Sequence, residues 1–137
     1  MRIYEQGHLF FVSLEPGEEM IESFRQLTEM RDWPAAAIWG IGAITDIVLG
    51  YYDLEHKRYI EIPLEGEWEL ASCHGTVSTR DHQPLPHLHV VVSNREGETR
   101  GGHLFRAKIS AAGEFVILPL PSAMIRRYNE RIGLALL

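Results

Sequence analysis

The chain contains very little cysteine: Cys73 is the only one among 137 residues, so no disulfide can form within it. A single cysteine is typical of proteins from reducing compartments, and we expect Cys73 to be a small buried apolar side chain. No run of about 18 apolar residues occurs, and residues 1–8 lack the apolar segment of a signal peptide. These absences predict a soluble cytoplasmic protein that does not enter a membrane.

Positive charge is also scarce. The sequence has 13 Lys and Arg against 19 Asp and Glu, which gives a net charge of −6. Nucleic-acid binding through phosphates needs a basic surface, so this balance disfavours a broad phosphate-binding face. Arg126, Arg127 and Arg131 form the only local basic cluster. We interpret them as solvated or interfacial residues, with nucleic-acid contact as the less favoured alternative.

The clearest helix signal lies at about residues 18–31. Met20, Phe24 and Leu27 recur at helical spacing, and polar residues occupy the intervening positions. Acidic residues in the first turn suit the positive end of a helix dipole, and Pro34 prevents the helix from continuing. These features predict one amphipathic helix that packs on the rest of the domain.

Most of the remaining chain predicts strands, because short apolar runs rich in β-branched residues alternate with turn residues. The predicted strands are Leu9–Val12, Ile47–Tyr52, Arg58–Ile62, Trp68–Val77, Leu88–Ser93, Leu104–Ser110 and Glu114–Leu118. Gly40 and Gly42 predict a bend between strands, since a dinucleotide-binding loop needs a third glycine and a following helix. Residues 1–137 are therefore expected to form a single compact α+β domain with a largely antiparallel sheet.

Three histidines form the most informative pattern. His87 and His89 lie two positions apart in a predicted strand, so their side chains share one face about 6.6 Å apart along the strand. His103 immediately precedes the predicted strand Leu104–Ser110, and it could complete a cluster if its own segment is an adjacent strand. Neutral imidazole is a good zinc ligand, and three histidines with a vacant fourth position match an open zinc site. Alternatively, the three form ordinary hydrogen bonds in a sheet or a subunit interface.

Several short motifs occur in a fixed order along the chain. They are Gly17–Glu19, Gly40–Ala43, Glu69–Gly75, Pro86–His89, Gly101–Leu104 and Glu114. In this order and spacing, residues 16–118 resemble the plants and prokaryotes conserved domain, called the PPC domain. The resemblance implies a largely antiparallel sheet, assembly as a homotrimer, and metal binding by the residues that match its histidines, His87, His89 and His103.

The resemblance also carries a DNA-binding label. Plant relatives attach the domain to AT-hook segments, whereas prokaryotic relatives often consist of the domain alone. An AT-hook needs an Arg-Gly-Arg-Pro core that enters the minor groove, and this chain contains no such segment. The chain is therefore expected to be of the stand-alone prokaryotic type, and a DNA-binding transcriptional regulator is retained as an alternative function.

The sequence offers several candidates for a fourth ligand and one for a catalytic residue. Water, His74, His82 or a small-molecule oxygen could complete the coordination, and His74 has the better chance of facing the site because it lies on a predicted strand. Glu69 is the weak catalytic candidate. It could orient a ligating imidazole or act as a general base, whereas pairing with Arg106 is its structural alternative.

The expected function follows from these residues and the resemblance together. We expect a trimeric zinc-binding protein that acts as a non-enzymatic sensor, regulatory or assembly module, with itself and a small-molecule ligand as partners. A metal-dependent hydrolase or lyase that uses Glu69 is a second alternative, beside the DNA-binding regulator.

Overall fold

Nine strands and one helix make up the chain, and the computed structural model describes all residues from 1 to 137. In order they are β1 (Arg2–Gln6), β2 (Leu9–Leu14), α1 (Met20–Met30), β3 (Ala35–Asp53), β4 (Arg58–Leu64), β5 (Trp68–Arg80), β6 (Gln83–Ser93), β7 (Thr99–Leu120), β8 (Arg127–Asn129) and β9 (Leu134–Leu136). The single domain with a largely antiparallel sheet and one helix is confirmed. Strands dominate it so strongly that the predicted α+β class describes it only loosely.

The main sheet has seven strands in the order β1-β2-β7-β6-β5-β3-β4, and β3 also pairs with β7. This extra pairing closes β7, β6, β5 and β3 into a ring. The ring is possible because β3 and β7 are long: each pairs with different neighbours along its length while the two remain paired to each other. Because the ring is closed, each of these four strands is hydrogen-bonded to a neighbour on both sides within it.

Two local predictions for this region are wrong. Gly40 and Gly42 lie inside β3, where the register with β5 shifts between them, and do not separate two strands. A side chain at Gly40 would place its Cβ 2.3 Å from the Phe115 ring, so the glycine permits the close approach of β7. The predicted turn at residues 112–113 is likewise absent, because β7 continues along β3 as one strand.

Other differences concern the ends of elements. The structure adds β1, which pairs with β2 and which the sequence pattern does not predict. The predicted loop at residues 79–84 is a tight turn between β5 and β6, with Asp81 and His82 at φ angles of 50° and 64°. The predicted hairpin of residues 47–52 with residues 58–62 is confirmed as the β3–β4 pair.

The core lies between α1 and the sheet. Met20, Phe24 and Leu27 are fully buried, which confirms the predicted apolar face of the helix. Leu88 and Val90 on β6 belong to the same buried cluster. Because strand side chains alternate, the residues next to them on β6 face away from α1. The one helix, α1, is neither long enough nor apolar enough to cross a membrane.

The C-terminal segment folds back on the sheet. β8 and β9 pair with each other, the Tyr52 hydroxyl donates to the Ile132 carbonyl at 2.7 Å, and the Thr79 amide donates to the Met124 carbonyl at 2.8 Å. In the structure, residues 134–136 are half-buried against the chain's own sheet.

Cys73 supplies a test of this fold. Its side chain is fully buried, and burial raises the pKa of its thiol to about 12. The native protein should therefore react negligibly with Ellman's reagent at about pH 8, because the thiolate is the reactive form. The same protein unfolded in guanidinium should release one equivalent of chromophore. Rapid labelling of the native protein, with no increase on unfolding, would contradict the buried placement.

Candidate metal centre

Three histidines converge on the face of the sheet that points away from α1. His87 and His89 come from β6 and His103 comes from β7, and each offers a ligand atom within 4.8 Å of the other two. The ring centroids of His87 and His103 are 5.1 Å apart, and those of His89 and His103 are 5.6 Å apart. The structure thus brings together the three residues that the sequence proposes as ligands.

Sheet register explains this convergence. His89 lies directly opposite His103 in the antiparallel β6–β7 ladder, so the two side chains are neighbours on the same face. His87 precedes His89 by two residues and therefore also points to that face. On the other face, Leu88 is fully buried and fixes the orientation of β6.

His103 is held by an aromatic surround. On its other side it lies opposite Gly50 of β3, where an added Cβ would be 2.6 Å from the Phe105 ring and 3.1 Å from Tyr59. The absence of a side chain at Gly50 gives these two rings room to reach His103. Their centroids lie 4.8 Å (Phe105) and 5.0 Å (Tyr59) from the imidazole centroid. His103 is consequently half-buried and has little freedom to turn.

The environment keeps two of the three histidines neutral. Burial, reinforced by the neighbouring His87, His89 and Arg126, lowers the pKa of His103 to about 4. Burial first, then Arg126 and His89, lower the pKa of His87 below its ordinary value. A neutral imidazole retains a nitrogen lone pair at neutral pH, which is the form that coordinates a cation.

One buried nitrogen has no hydrogen-bond partner. His103 Nδ1 is shielded from solvent and contacts no donor or acceptor. A buried polar atom without a partner destabilises the folded protein by about 1–3 kcal/mol, and coordination to a cation would offset this cost. Three imidazoles, one with an unpaired buried nitrogen, fit a borderline divalent cation such as zinc.

The structure adds one residue that the sequence does not predict for this site. Arg126 Nη2 lies 3.0 Å from His87 Nδ1. Because a guanidinium can only donate, His87 Nδ1 accepts this bond and the imidazole proton lies on Nε2, so this bond must break before either nitrogen of His87 can bind a cation. The contact joins residues 39 positions apart through the fold of the C-terminal segment. Only the basic character of Arg126 was visible in the sequence.

His74 is adjacent to the cluster but separate from it. It lies opposite His89 in the β5–β6 ladder, so the two share a face. Its ring is exposed, its Nδ1 lies 2.9 Å from Ser72 Oγ, and it does not belong to the group within 4.8 Å. His82 is exposed in the turn between β5 and β6. The three-histidine cluster is therefore completed by neither.

Glu69 lies away from the histidines. It occupies the beginning of β5, opposite Ser93 of β6, whereas His89 is opposite His74. Five positions along a strand correspond to roughly 16 Å. Arg106, its predicted structural partner, lies opposite Val48 on β3. The structure thus does not bring Glu69 into contact with the proposed ligands.

The protonation of His103 predicts an acid-sensitive fold. In metal-free protein kept with a chelator, the unfolded histidine titrates near 6.5 and the folded one near 4. The unfolded state therefore binds more protons between these values, and the free energy of unfolding should decrease as pH falls from 6.5 towards 4. Denaturant titrations of a His103→Gln variant should show a shallower decrease. The exposed His8→Gln control should match the parent, and equal slopes in all three proteins would contradict the assignment.

Solved structures of similar proteins share this fold. A plant- and prokaryote-conserved protein from Pyrococcus horikoshii superposes with a TM-score of 0.88, at 33% identity over 95% of this chain and 90% of that one. A metal-containing protein from Archaeoglobus fulgidus gives 0.88, at 36% identity over 97% and 94%. A protein from Bacteroides thetaiotaomicron, named as a candidate DNA-binding protein, gives 0.93, at 26% identity over 98% and 94%.

The sequence itself matches a family over most of its length. No curated protein matches it at a significant level. The family model of the Plants and Prokaryotes Conserved (PCC) domain matches residues 1–121. This is the family that the motifs of residues 16–118 resemble. With the fold shared across these relatives, the chain belongs to the plants and prokaryotes conserved domain family.

Proposed function

We propose that the protein is a trimeric metal-binding member of this family, in which His87, His89 and His103 hold a divalent cation, and that it acts as a sensor, regulatory or assembly module. The observation that carries the proposal is the convergence of three imidazoles within 4.8 Å. The unpartnered buried Nδ1 of His103 supports it, because ordinary hydrogen bonding leaves that atom unsatisfied.

Ligand chemistry favours zinc. Imidazole suits zinc and other borderline divalent cations, whereas magnesium and calcium prefer oxygen ligands. A cation bound by three protein ligands supplies positive charge and an open position for a small oxygen ligand. The relative from Archaeoglobus fulgidus, 36% identical, is described as a metal-containing protein, which supports the same role for this chain.

The surroundings of the histidines favour binding over hydrolysis. The cavity beside His87 and His103 is lined by no Asp or Glu, so the carboxylate general base of the hydrolase alternative has no candidate there. Glu69, the residue considered for that role, lies at the beginning of β5, five positions before His74, the residue opposite His89. A sensor or assembly role requires only that the site bind its metal and ligand.

DNA binding receives less support. Arg126, one of the three residues of the local basic cluster, directs its guanidinium to His87 and Ser78. Arg127 and Arg131 remain exposed in a chain of net charge −6. Two exposed arginines are a small electrostatic footprint for a duplex.

An apolar row on the outer face of the sheet supports self-assembly. Phe11, Val116 and Trp39 lie side by side across β2, β7 and β3. Phe11 is 46% exposed, Trp39 is 37% exposed and the nearby Ile41 is 55% exposed. Exposed apolar patches of this kind mark contact surfaces. The homotrimer implied by the family resemblance would bury this row between subunits.

Metal analysis tests the proposed ligands. Protein purified after zinc loading should contain about one zinc ion per chain by elemental mass spectrometry. The His87→Ala/His89→Ala/His103→Ala variant should contain almost none, because all three proposed ligands are removed. A His74→Ala/His82→Ala variant is the matched control and should retain the parental content. Full zinc content in the triple variant would disprove the site.

Assembly is tested separately by mass in solution. Trp39→Asp/Phe11→Asp should shift the light-scattering mass from three chains towards one, because charge would be placed in the buried row. Leu54→Asp changes an exposed apolar residue in the β3–β4 turn and should leave the mass unchanged. A trimer that persists in the double variant would place the subunit contact elsewhere.

A further inference from the structure

A cavity of 360 Å³ adjoins the histidine cluster. His87 and His103 line one part of it, and the C-terminal segment closes another. Its apolar wall includes Leu85, Phe105 and Leu136. The volume falls at the lower end of the range of small-molecule sites, about 300–1,000 Å³. The cavity can therefore hold a compact molecule with an apolar body.

The charged groups in the cavity are all basic. Arg80 and Arg126 contribute guanidinium groups, and none of the lining residues is Asp or Glu. This contrasts with the chain as a whole, whose net charge is −6. Arg80 has a carboxylate neighbour outside the cavity, Asp81, at 3.3 Å. Positive charge that is concentrated in a partly apolar cavity favours an anionic occupant.

Arg126 lacks a carboxylate partner. Its guanidinium donates to Ser78 Oγ at 2.7 Å, to the Ala135 carbonyl at 3.2 Å and to His87 Nδ1 at 3.0 Å, all of them neutral acceptors. A half-buried charge without a counter-ion is unfavourable. The planar guanidinium is well suited to a carboxylate, which can accept two of its hydrogen bonds.

We propose that this cavity binds a small organic carboxylate, with its anionic group on Arg126 beside His87 and its apolar body against the wall formed by Leu85, Phe105 and Leu136. The apolar wall distinguishes such a ligand from inorganic phosphate, which would leave that wall unfilled. Arg126 supplies the recognition, so the site binds the carboxylate with or without a cation at the histidines and extends the proposed function without depending on it.

Calorimetric titration with sodium hexanoate tests the proposal on chelator-treated protein. Binding should saturate at one molecule per chain, and hexanamide, which has the same body without charge, should bind at least about tenfold more weakly. Inorganic phosphate should also bind at least about tenfold more weakly, because it cannot use the apolar wall.

Matched variants assign the charge. Arg126→Gln should weaken hexanoate binding by about tenfold or more, whereas Arg127→Gln removes the same charge from the exposed neighbouring residue and should change it by less than about threefold. Circular dichroism melts identify any variant whose fold is lost. Arg126→Lys keeps the positive charge, and it should bind hexanoate more strongly than Arg126→Gln does.

Each contrary outcome has a distinct meaning. Equal binding of hexanamide would show an apolar cavity without an anion site, and equal binding of phosphate would show a general oxyanion site. Equal losses in Arg126→Gln and Arg127→Gln would show diffuse attraction by surface charge. Binding only to zinc-loaded protein would assign the carboxylate to the metal. Any of these results overturns the proposal, whereas hexanoate binding to protein that takes up no zinc would overturn the metal site alone.

Discussion

The antiparallel pairing of β3 with β7 is the constraint on which the rest of the molecule depends. It closes the ring of four strands, and it places Gly50 next to His103 on one side while β6 places His89 on the other. Without this double pairing, His103 would have a neighbour on one side only. Tyr59, on β4, would also lose its route to His103, because β4 pairs only with β3.

Burial on one face of β6 determines the geometry on the other. Leu88, Val90 and Val92 are buried against the core, and each such side chain contributes about 1.5–3 kcal/mol relative to exposure. A register slip of one residue would expose all three and bury His87 and His89, which costs several kcal/mol on the same scale. The histidines therefore need no interaction of their own to lie on the outer face. Ordinary core packing positions the site.

The spacing of apolar residues in the sequence predicts the elements whose burial pattern is set within a few neighbouring residues. The helix, β6 and the β3–β4 hairpin belong to this group, and so does the shared face of His87 and His89. The placement of His103 beside them required the assumption that neighbouring segments pair, which the β6–β7 hairpin satisfies.

Features that depend on distant segments were missed or misplaced. Gly40 lies inside β3 because β3 must leave room for the ring of Phe115, which lies far along the chain. The contact of Arg126 with His87 depends on the return of the C-terminal segment to the sheet, and no periodicity records it. Glu69 lies in the same strand as His74, but only the observed register shows how far along that strand it is from His89.

The C-terminal segment supplies part of the lining of the cavity beside the histidines. The match to the family domain ends at residue 121, whereas Arg126 and the wall formed with residues 134–136 come afterwards. The strands that carry the histidines are complete before this segment begins. The match to the family therefore covers the strands that carry the histidines, whereas Arg126 and residues 134–136, which line part of the cavity, follow it. A protein with the same domain and a different segment after residue 121 would keep this sheet and its histidines while lining the cavity with other side chains.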